Sequence, residues 1–310
     1  MAAVDITKIH QGPGSLWLGV ATPPTGSRLL IDINGNPSTP ALNAPAAATL
    51  STATGGSLVA ATYYVVITYV NPLGETPASP EASLAAATGT LLAVASPSKS
   101  GNATGYNIYA STASGSGKLQ NSSPLQLGQS WTLPPAGLNL VGTGAPLANT
   151  AGPLFAGAIS GATTITWAPK IEALSADQVA APIDARLTAE EQSIEAEIME
   201  TDYAKLRAYL ANGIFASGID PGLPAGFQNY EEISFGGLME VPRMSIAIVS
   251  PRIDAPGKFV VSQLYSAYQA QSVAMPFSRE KATSVKVKFS GLADPTRPVG
   301  DQVGKVYRQP

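Results

Sequence analysis

The sequence predicts a mainly β protein of two structural units with a single short helix, and three observations point there. Apolar residues recur every second position in many short runs, the period of a half-buried strand. Glycine and proline are abundant, 30 and 26 among 310 residues, and they punctuate those runs as turns. Charge is sparse, with 13% charged residues against 45% hydrophobic ones, about half the usual charged share, so there is ample apolar material for a core.

The charge is also unevenly spread. Between Asn43 and Thr150 only Glu75, Glu81, Lys99 and Lys118 are charged, whereas the other 202 residues carry 35 charges. Such a shift in composition marks a domain at 43–150 inserted into a second, discontinuous domain at 1–42 and 151–310. In the inserted segment, "TYYVVITYV" reads as a strand, "NPLG" as its turn, and "GTLLAVAS", "ATGYNIYAST" and "LGQSWTL" as further strands. That number and spacing of short strands predicts an immunoglobulin-like sandwich. The stretches "TYYVVITYVNPLGETPAS" and "ATGYNIYASTASG" also resemble fibronectin type III modules. Tyr63, Tyr69, Tyr106 and Tyr109 are expected to pack in its core, with carbohydrate stacking as the alternative. The flanks "PSTPALNAPAAATLSTATGG" and "LNLVGTGAPLANTAG" read as linkers.

In the surrounding unit, "SLWLGVA" and "SRLLIDING" are short apolar runs, and Asn34-Gly35 predicts a hairpin turn. "ATTITWAPKIEAL" alternates Ile165 and Trp167 with small residues, a strand signal. "TDYAKLRAYLANG" predicts a helix: Thr201 caps it, Asp202 suits its positive end, Leu206 and Leu210 share a face, and Gly213 stops it. After a Gly/Pro loop at 217–226, "YEEISFGG", "RMSIAIVS", "GKFVVSQLYSAY" and "SVKVKFSGL" read as strands. The segment 188–200 fits two descriptions. Thr188 with Glu191 makes a capping box and Ile194 with Ile198 has helical spacing, yet Ile194, Ala196 and Ile198 alternate with Glu195 and Glu197 as on a strand.

Several function classes fall away. The net charge of −3 and the lack of any basic cluster argue against a nucleic-acid grip. With no cysteine, thiolate metal sites, disulfides and cysteine nucleophiles are excluded. His10 is the only histidine, so one chain can build no histidine triad or multi-histidine metal centre. "GPGS" at 12–15 lacks the Gly-Lys-Ser/Thr of a phosphate loop, "ASGSG" at 113–117 is a flexible turn, and "DINGN" at 32–36 lacks the distal acid of a calcium loop. The start has no signal-peptide core and no run is long enough to span a membrane. The chain is therefore expected to be made in the cytoplasm, to need no cofactor or metal, and not to be an enzyme.

The chemistry that remains is "EEQSIEAEIME" at 190–200. Glu195 and Glu197 on one strand face would stand about 7 Å apart, within glycosidase range, but any acids at i and i+2 meet that distance. Their alternatives are a solvated outer face and an acidic wall facing something negative.

Four stretches carry a family resemblance in shared order. These are "GPGSLWLG" at 12–19, "IEALSADQVAAPIDARLTAEEQSIEAEIMETDYAKLRAYLA", "RMSIAIVSPRIDAPGKFVVSQLYSAY" and "PFSREKATSVKVKFSGLADPTRPVGDQ". Together they resemble the tail tube (major tail) proteins of long-tailed bacteriophages, especially those with non-contractile tails. The resemblance favours a strand at 188–200. It implies a tail-tube β-sandwich or barrel with one flanking α-helix, carrying the immunoglobulin/fibronectin III-like domain as an insertion. It further implies a structural virion protein whose copies form stacked, hexameric rings, the conduit for genome ejection. Its partners would be itself and the tape measure, tail terminator and distal tail proteins, with DNA passing unbound and no membrane contact. Under this resemblance Glu195, Glu197, Glu191 and Glu200, with Glu190, are candidates for a lumen wall that repels phosphate. The loop 217–226 and a C-terminal arm bearing Arg297, Lys305 and Arg308 would reach neighbouring rings. The alternative function is a phage or bacterial surface adhesin binding carbohydrate through the inserted module.

Overall fold

The computed structural model describes residues 14–56, 58–175, 181–199, 202–210, 213–236, 241–275 and 284–309. The protein is mainly β, with antiparallel sheets throughout and one seven-residue helix among the described residues. It divides into two compact units, one running to Ser38 and resuming at Phe155, the other covering Thr39–Leu154. The first strand, β1 (Ser15–Leu18), belongs to the discontinuous unit.

The continuous unit is a sandwich of two sheets. One contains β2 (Leu50–Thr54), β5 (Thr90–Val94) and β9 (Trp131–Thr132) in the order β2-β5-β9. The other is built on β3 (Ala61–Val70) and β6 (Gly105–Ser111), with β4 (Ala82–Ala86) outside β3. The short β7 (Lys118–Leu119) and β8 (Leu125–Gln126) both pair with β6. Period-two alternation sends Tyr63, Val65, Ile67 and Tyr69 of β3 inward beside Tyr106 and Ile108 of β6. Leu92, Val94 and Trp131 belong to the same core.

The flanks expected to be linkers join this fold. Leu42, Ala48 and Ala151 lie in the core, residues 50–54 form β2, and Asn149 Nδ2 donates to Leu42 O at 2.8 Å. Small apolar residues between prolines look like spacer composition; pairing with the distant β5 makes this stretch a strand.

The discontinuous unit continues with β10 (Leu154–Phe155), β11 (Thr164–Leu174), β12 (Asp184–Ile198), α1 (Tyr203–Tyr209), β13 (Gly213–Ile219), β14 (Asn229–Phe235), β15 (Met244–Pro251), β16 (Phe259–Gln269), β17 (Val285–Gly291) and β18 (Gly304–Arg308). One sheet has the order β10-β1-β15-β16-β17-β12-β11, with β18 also on β16. The ambiguous segment is thus a strand, and its distant partner decides it: Ser193–Ile198 pairs antiparallel with Val285–Ser290.

The register carries one apolar face across the sheet, through Leu16, Leu18, Ile246, Ala267, Phe289, Val287, Ile194 and Ile198, all nearly inaccessible. The segment after β10 hydrogen-bonds both β1 and the C-terminal end of β12. Ala156 N donates to Leu16 O at 2.9 Å, while Ser160 N donates to Glu197 O at 2.7 Å and Met199 N to Ala158 O at 2.8 Å. The sheet therefore curls until β1 and the end of β12 share one segment, a partial, barrel-like closure beyond which β11 projects. On its outer side Val20 and Leu29 cover Ala247, Val249, Phe259 and Val261, while farther along, at β17 and β12, that side turns charged.

The helix is shorter than the sequence suggests. Lys205 N and Leu206 N both bond Asp202 O, Leu206 and Tyr209 are buried, and Tyr209 OH donates to Ala156 O at 2.7 Å. Gly213 begins β13 rather than stopping the helix, and the proposed Thr201 cap lies outside the described residues, as does His10. "SRLLIDING" makes only a bridge between Ile31 and Pro37, but its turn forms: Gly35 has φ 84°, and a side chain there would strike the Phe259 ring.

Candidate interaction surface

On the inner half of β12, Ile194, Ala196 and Ile198 are buried while Glu195 and Glu197 are half-buried on the opposite face, as alternation requires. Their neighbours across the sheet are lysines. Glu195 opposes Lys288 and Glu197 opposes Lys286 in the register with β17. Lys288 Nζ lies 3.0 Å from Glu195 Oε1, and Ser284 Oγ donates to Glu197 Oε1 at 2.5 Å. The hydrogen bond that Lys288 donates to Glu195, and then the Glu195 charge, push the Lys288 pKa up, with a smaller contribution from Glu191.

The acids therefore do not form an unbroken negative wall; they alternate with cations across the strands. Glu191 stands on the same face as Glu195, opposite Ala168, and is exposed. Glu190 points to the other face, opposite Pro169, and accepts from Gln192 Nε2 at 3.3 Å. Glu200 lies outside the described residues. Sequence reasoning missed Lys286 and Lys288, although "SVKVKFSGL" shows them two apart; only the register places them against these acids.

The outer half of β12 and nearly all of β11 project as an exposed hairpin. Directly opposed residues share a face, so Trp167 lies with Gln192, Ile171 with Leu187, and Ala173 with Ala185. A bulge between Lys170 and Ile171 keeps these pairs on one side, and there Thr188 Oγ1 donates to Lys170 O at 3.0 Å. This side continues the buried face at Ile165 and Ile194, yet Trp167 is 52% exposed, Ile171 63% and Leu187 57%. The other side is polar, with Lys170, Glu172 and Arg186, and Arg186 sits 3.6 Å from Glu172.

At the hairpin's base a cleft lies between β18 and the β11–β12 pair, lined by Ile165, Trp167, Gln192, Ile194, Leu264 and Val306. Its volume of about 40 Å³ holds water but no sugar ring.

A second hairpin, β13–β14, forms its own two-stranded sheet. The sequence expects a loop at 217–226, but β13 runs to Ile219, so only its later residues are loop. Ile219, Leu223, Phe227 and Tyr230 are exposed along it, Phe227 by 75%. Arg207 of α1 lies over the Phe215 ring at 5.8 Å, and burial lowers the Arg207 pKa.

The expected C-terminal arm folds back on its own unit. Arg297 is buried: Nη1 donates to Pro23 O at 2.9 Å, Nε to Asp301 O at 3.0 Å and Nη2 to Asp301 Oδ2 at 2.9 Å. Its guanidinium also sits 3.8 Å from the centre of the Tyr265 ring, whose hydroxyl donates to Asp301 Oδ1 at 2.5 Å. Lys305 reaches Ser27 O and Asp301, and Arg308 belongs to β18 opposite Val260. Arg297, Lys305 and Arg308 therefore sit on the folded unit rather than on a projecting arm, because β16 offers an open edge over Val260–Leu264 and the C-terminal residues fill it. Tyr265 and Asp301, which complete the clasp around Arg297, carried no signal in the sequence.

The tyrosines of the sandwich are packed rather than presented. Tyr63, Tyr69, Tyr106 and Tyr109 are each at most 5% exposed, leaving no ring face for a sugar. No protein-family model matches the chain, and no curated protein matches it either.

Proposed function

We propose that this is a structural protein that assembles with copies of itself, and that the assembly is the tail tube of a long-tailed bacteriophage, a stack of rings through which the genome leaves. The observation that carries self-association is the two-sided β11–β12 hairpin. Trp167, Ile171 and Leu187, with Gln192 and Glu190 among them, carry the buried face out into solvent, and large apolar side chains grouped on one exposed face mark a protein interface. The β13–β14 hairpin adds a second, different apolar surface. Two unlike patches on one chain suit head-to-tail contacts, which generate rings or filaments rather than isologous dimers. The tail-tube identity rests on the ordered resemblance of the four sequence stretches.

The charged face of β12 and β17 then has a milder role than a repulsive wall. Glu191, Glu195 and Glu197 exceed Lys286 and Lys288 by one charge, and cross-strand pairing damps attraction as well as repulsion. Such a face would let a polyanion slide past without gripping it. The adhesin alternative loses its candidate binding groups with the tyrosines buried.

Negative-stain electron microscopy with sedimentation of the purified full chain tests the reading. Rings or tubes are expected, and Trp167→Glu should leave folded monomers. A wild-type protein that stays monomeric at high concentration would overturn it.

A further inference from the structure

The sandwich unit holds a part-buried constellation of polar side chains on the larger sheet. Thr68 of β3 and Asn107 of β6 face each other directly in the antiparallel register. They are 0% and 8% exposed, on the side of the sheet opposite Tyr69 and Tyr106. Between them comes Glu75, one of the four charged residues in the segment. Its Oε1 accepts from Thr68 Oγ1, from Asn107 Nδ2 at 3.0 Å and from Tyr109 OH at 2.7 Å. The Asn107 carbonyl oxygen is held in turn: Asn121 Nδ2 donates to Oδ1 at 2.8 Å. Asn121 is itself fixed, with Oδ1 accepting from Ile108 N and Nδ2 donating to Ser123 O, both at 2.8 Å.

These are the parts of an acyl transfer. A hydroxyl sits on a carboxylate that can take its proton, as an activated nucleophile requires. A carboxamide faces it across the strands, with a donor already on the oxygen where negative charge would develop. The departing amide nitrogen lies on the same carboxylate oxygen, within reach of the returning proton. Directly opposed residues have Cα atoms about 5 Å apart, a span that a short side-chain bridge can close without moving the strands. Folding holds all four groups together, so the reaction is intramolecular and the entropy of encounter is already met.

We propose that Thr68 and Asn107 become joined by an intramolecular ester. Glu75 takes the hydroxyl proton as Thr68 Oγ1 attacks Asn107 Cγ, and Asn121 Nδ2 steadies the charge on Oδ1. Glu75 then delivers the proton to Nδ2, the Cγ–N bond breaks, and ammonia leaves. One C–O bond replaces one C–N bond, and no oxidant, reductant or cofactor takes part. Glu75 is the catalytic residue, Asn121 stabilises the developing oxyanion, and Tyr109 positions the Glu75 carboxylate. The link would bind the two central strands of the larger sheet covalently in a chain that has no cysteine.

Mass spectrometry of the denatured full chain is the test. The wild-type protein is expected to be one ammonia lighter than its sequence. A digest should contain a single species joining the Thr68 and Asn107 peptides, which hydroxylamine separates. Thr68→Val and Glu75→Gln should keep the full mass, and Thr68→Ser, which retains the hydroxyl, should still lose ammonia. Full sequence mass in folded wild-type protein overturns the proposal. So does an ammonia loss that persists in Thr68→Val or maps to Asn34-Gly35, where a succinimide would cause it. Loss of the link in Thr68→Ser, with the fold intact by circular dichroism, also overturns it.

Discussion

Arg297 and Glu195 are both charged residues with a partner, and burial separates their consequences. The Arg297 side chain is 6% exposed, bonds Asp301 and Pro23 O, and lies over Tyr265. Truncation would take the guanidinium from Asp301 Oδ2 and its donors from the carbonyls of Pro23 and Asp301. Arg297→Ala should therefore cost about 3 kcal/mol in chemical denaturation. The clasp is also acid-sensitive. The hydrogen bond from Tyr265 and then the pairing with Arg297 hold the Asp301 carboxyl below its ordinary range. A carboxyl depressed on folding stabilises the protein above its unfolded pKa of about 4, and that contribution is lost as pH falls through the folded value. Melting temperature should thus drop below about pH 4, and Asp301→Asn should be less stable at neutral pH with a flatter acid limb. Glu195 and Lys288 remain partly in water, where salt screens their attraction. A Glu195→Gln and Lys288→Gln double-mutant cycle should give a small coupling that vanishes in molar salt.

At the scale of elements, the strands that project are as informative as those that pack. Isolated two-stranded hairpins are marginal in water, and β11–β12 extends well past the sheet that supports its base. Ile171 and Leu187 touch solvent in the single chain. Replacing both with Glu should change the stability of the unassembled protein by no more than about 0.5 kcal/mol per site. The same double variant should abolish ring or tube formation by electron microscopy and sedimentation. Unchanged assembly would remove this hairpin from the interface. β16 shows the complementary case: it pairs with β15 along one edge, while β18 and β17 divide the other. The C-terminal strand is thereby part of the sheet, and removing residues 304–310 should destabilise the monomer rather than merely weaken contacts between copies.

At the scale of the molecule, the sandwich has its own core, from Leu42 to Ala151, with its sheets formed entirely within the segment. A fragment covering residues 39–154 should fold alone and melt in one cooperative transition, followed by circular dichroism. Under the proposed function, assembly belongs to the other unit, so a chain lacking that segment should still form rings. Loss of assembly in a folded deletion variant would assign the sandwich a part in the contacts.

Local sequence determined much of this architecture. Alternation in "TYYVVITYV", "RMSIAIVS" and "SVKVKFSGL" marks β3, β15 and β17 because side-chain direction in a strand repeats every two residues. The same alternation sets Ile194, Ala196 and Ile198 against Glu195 and Glu197. What it could not determine was any partner chosen by register across long separations. Lys288 meets Glu195 only because β17 lies beside β12, and β18 becomes a strand only because β16 leaves an edge open. The burial of Arg297 by Tyr265 and Pro23 has the same origin. A strand's periodicity is written in its own residues, but its hydrogen-bonding neighbour, and with it the charge each side chain faces, is decided by the folded sheet.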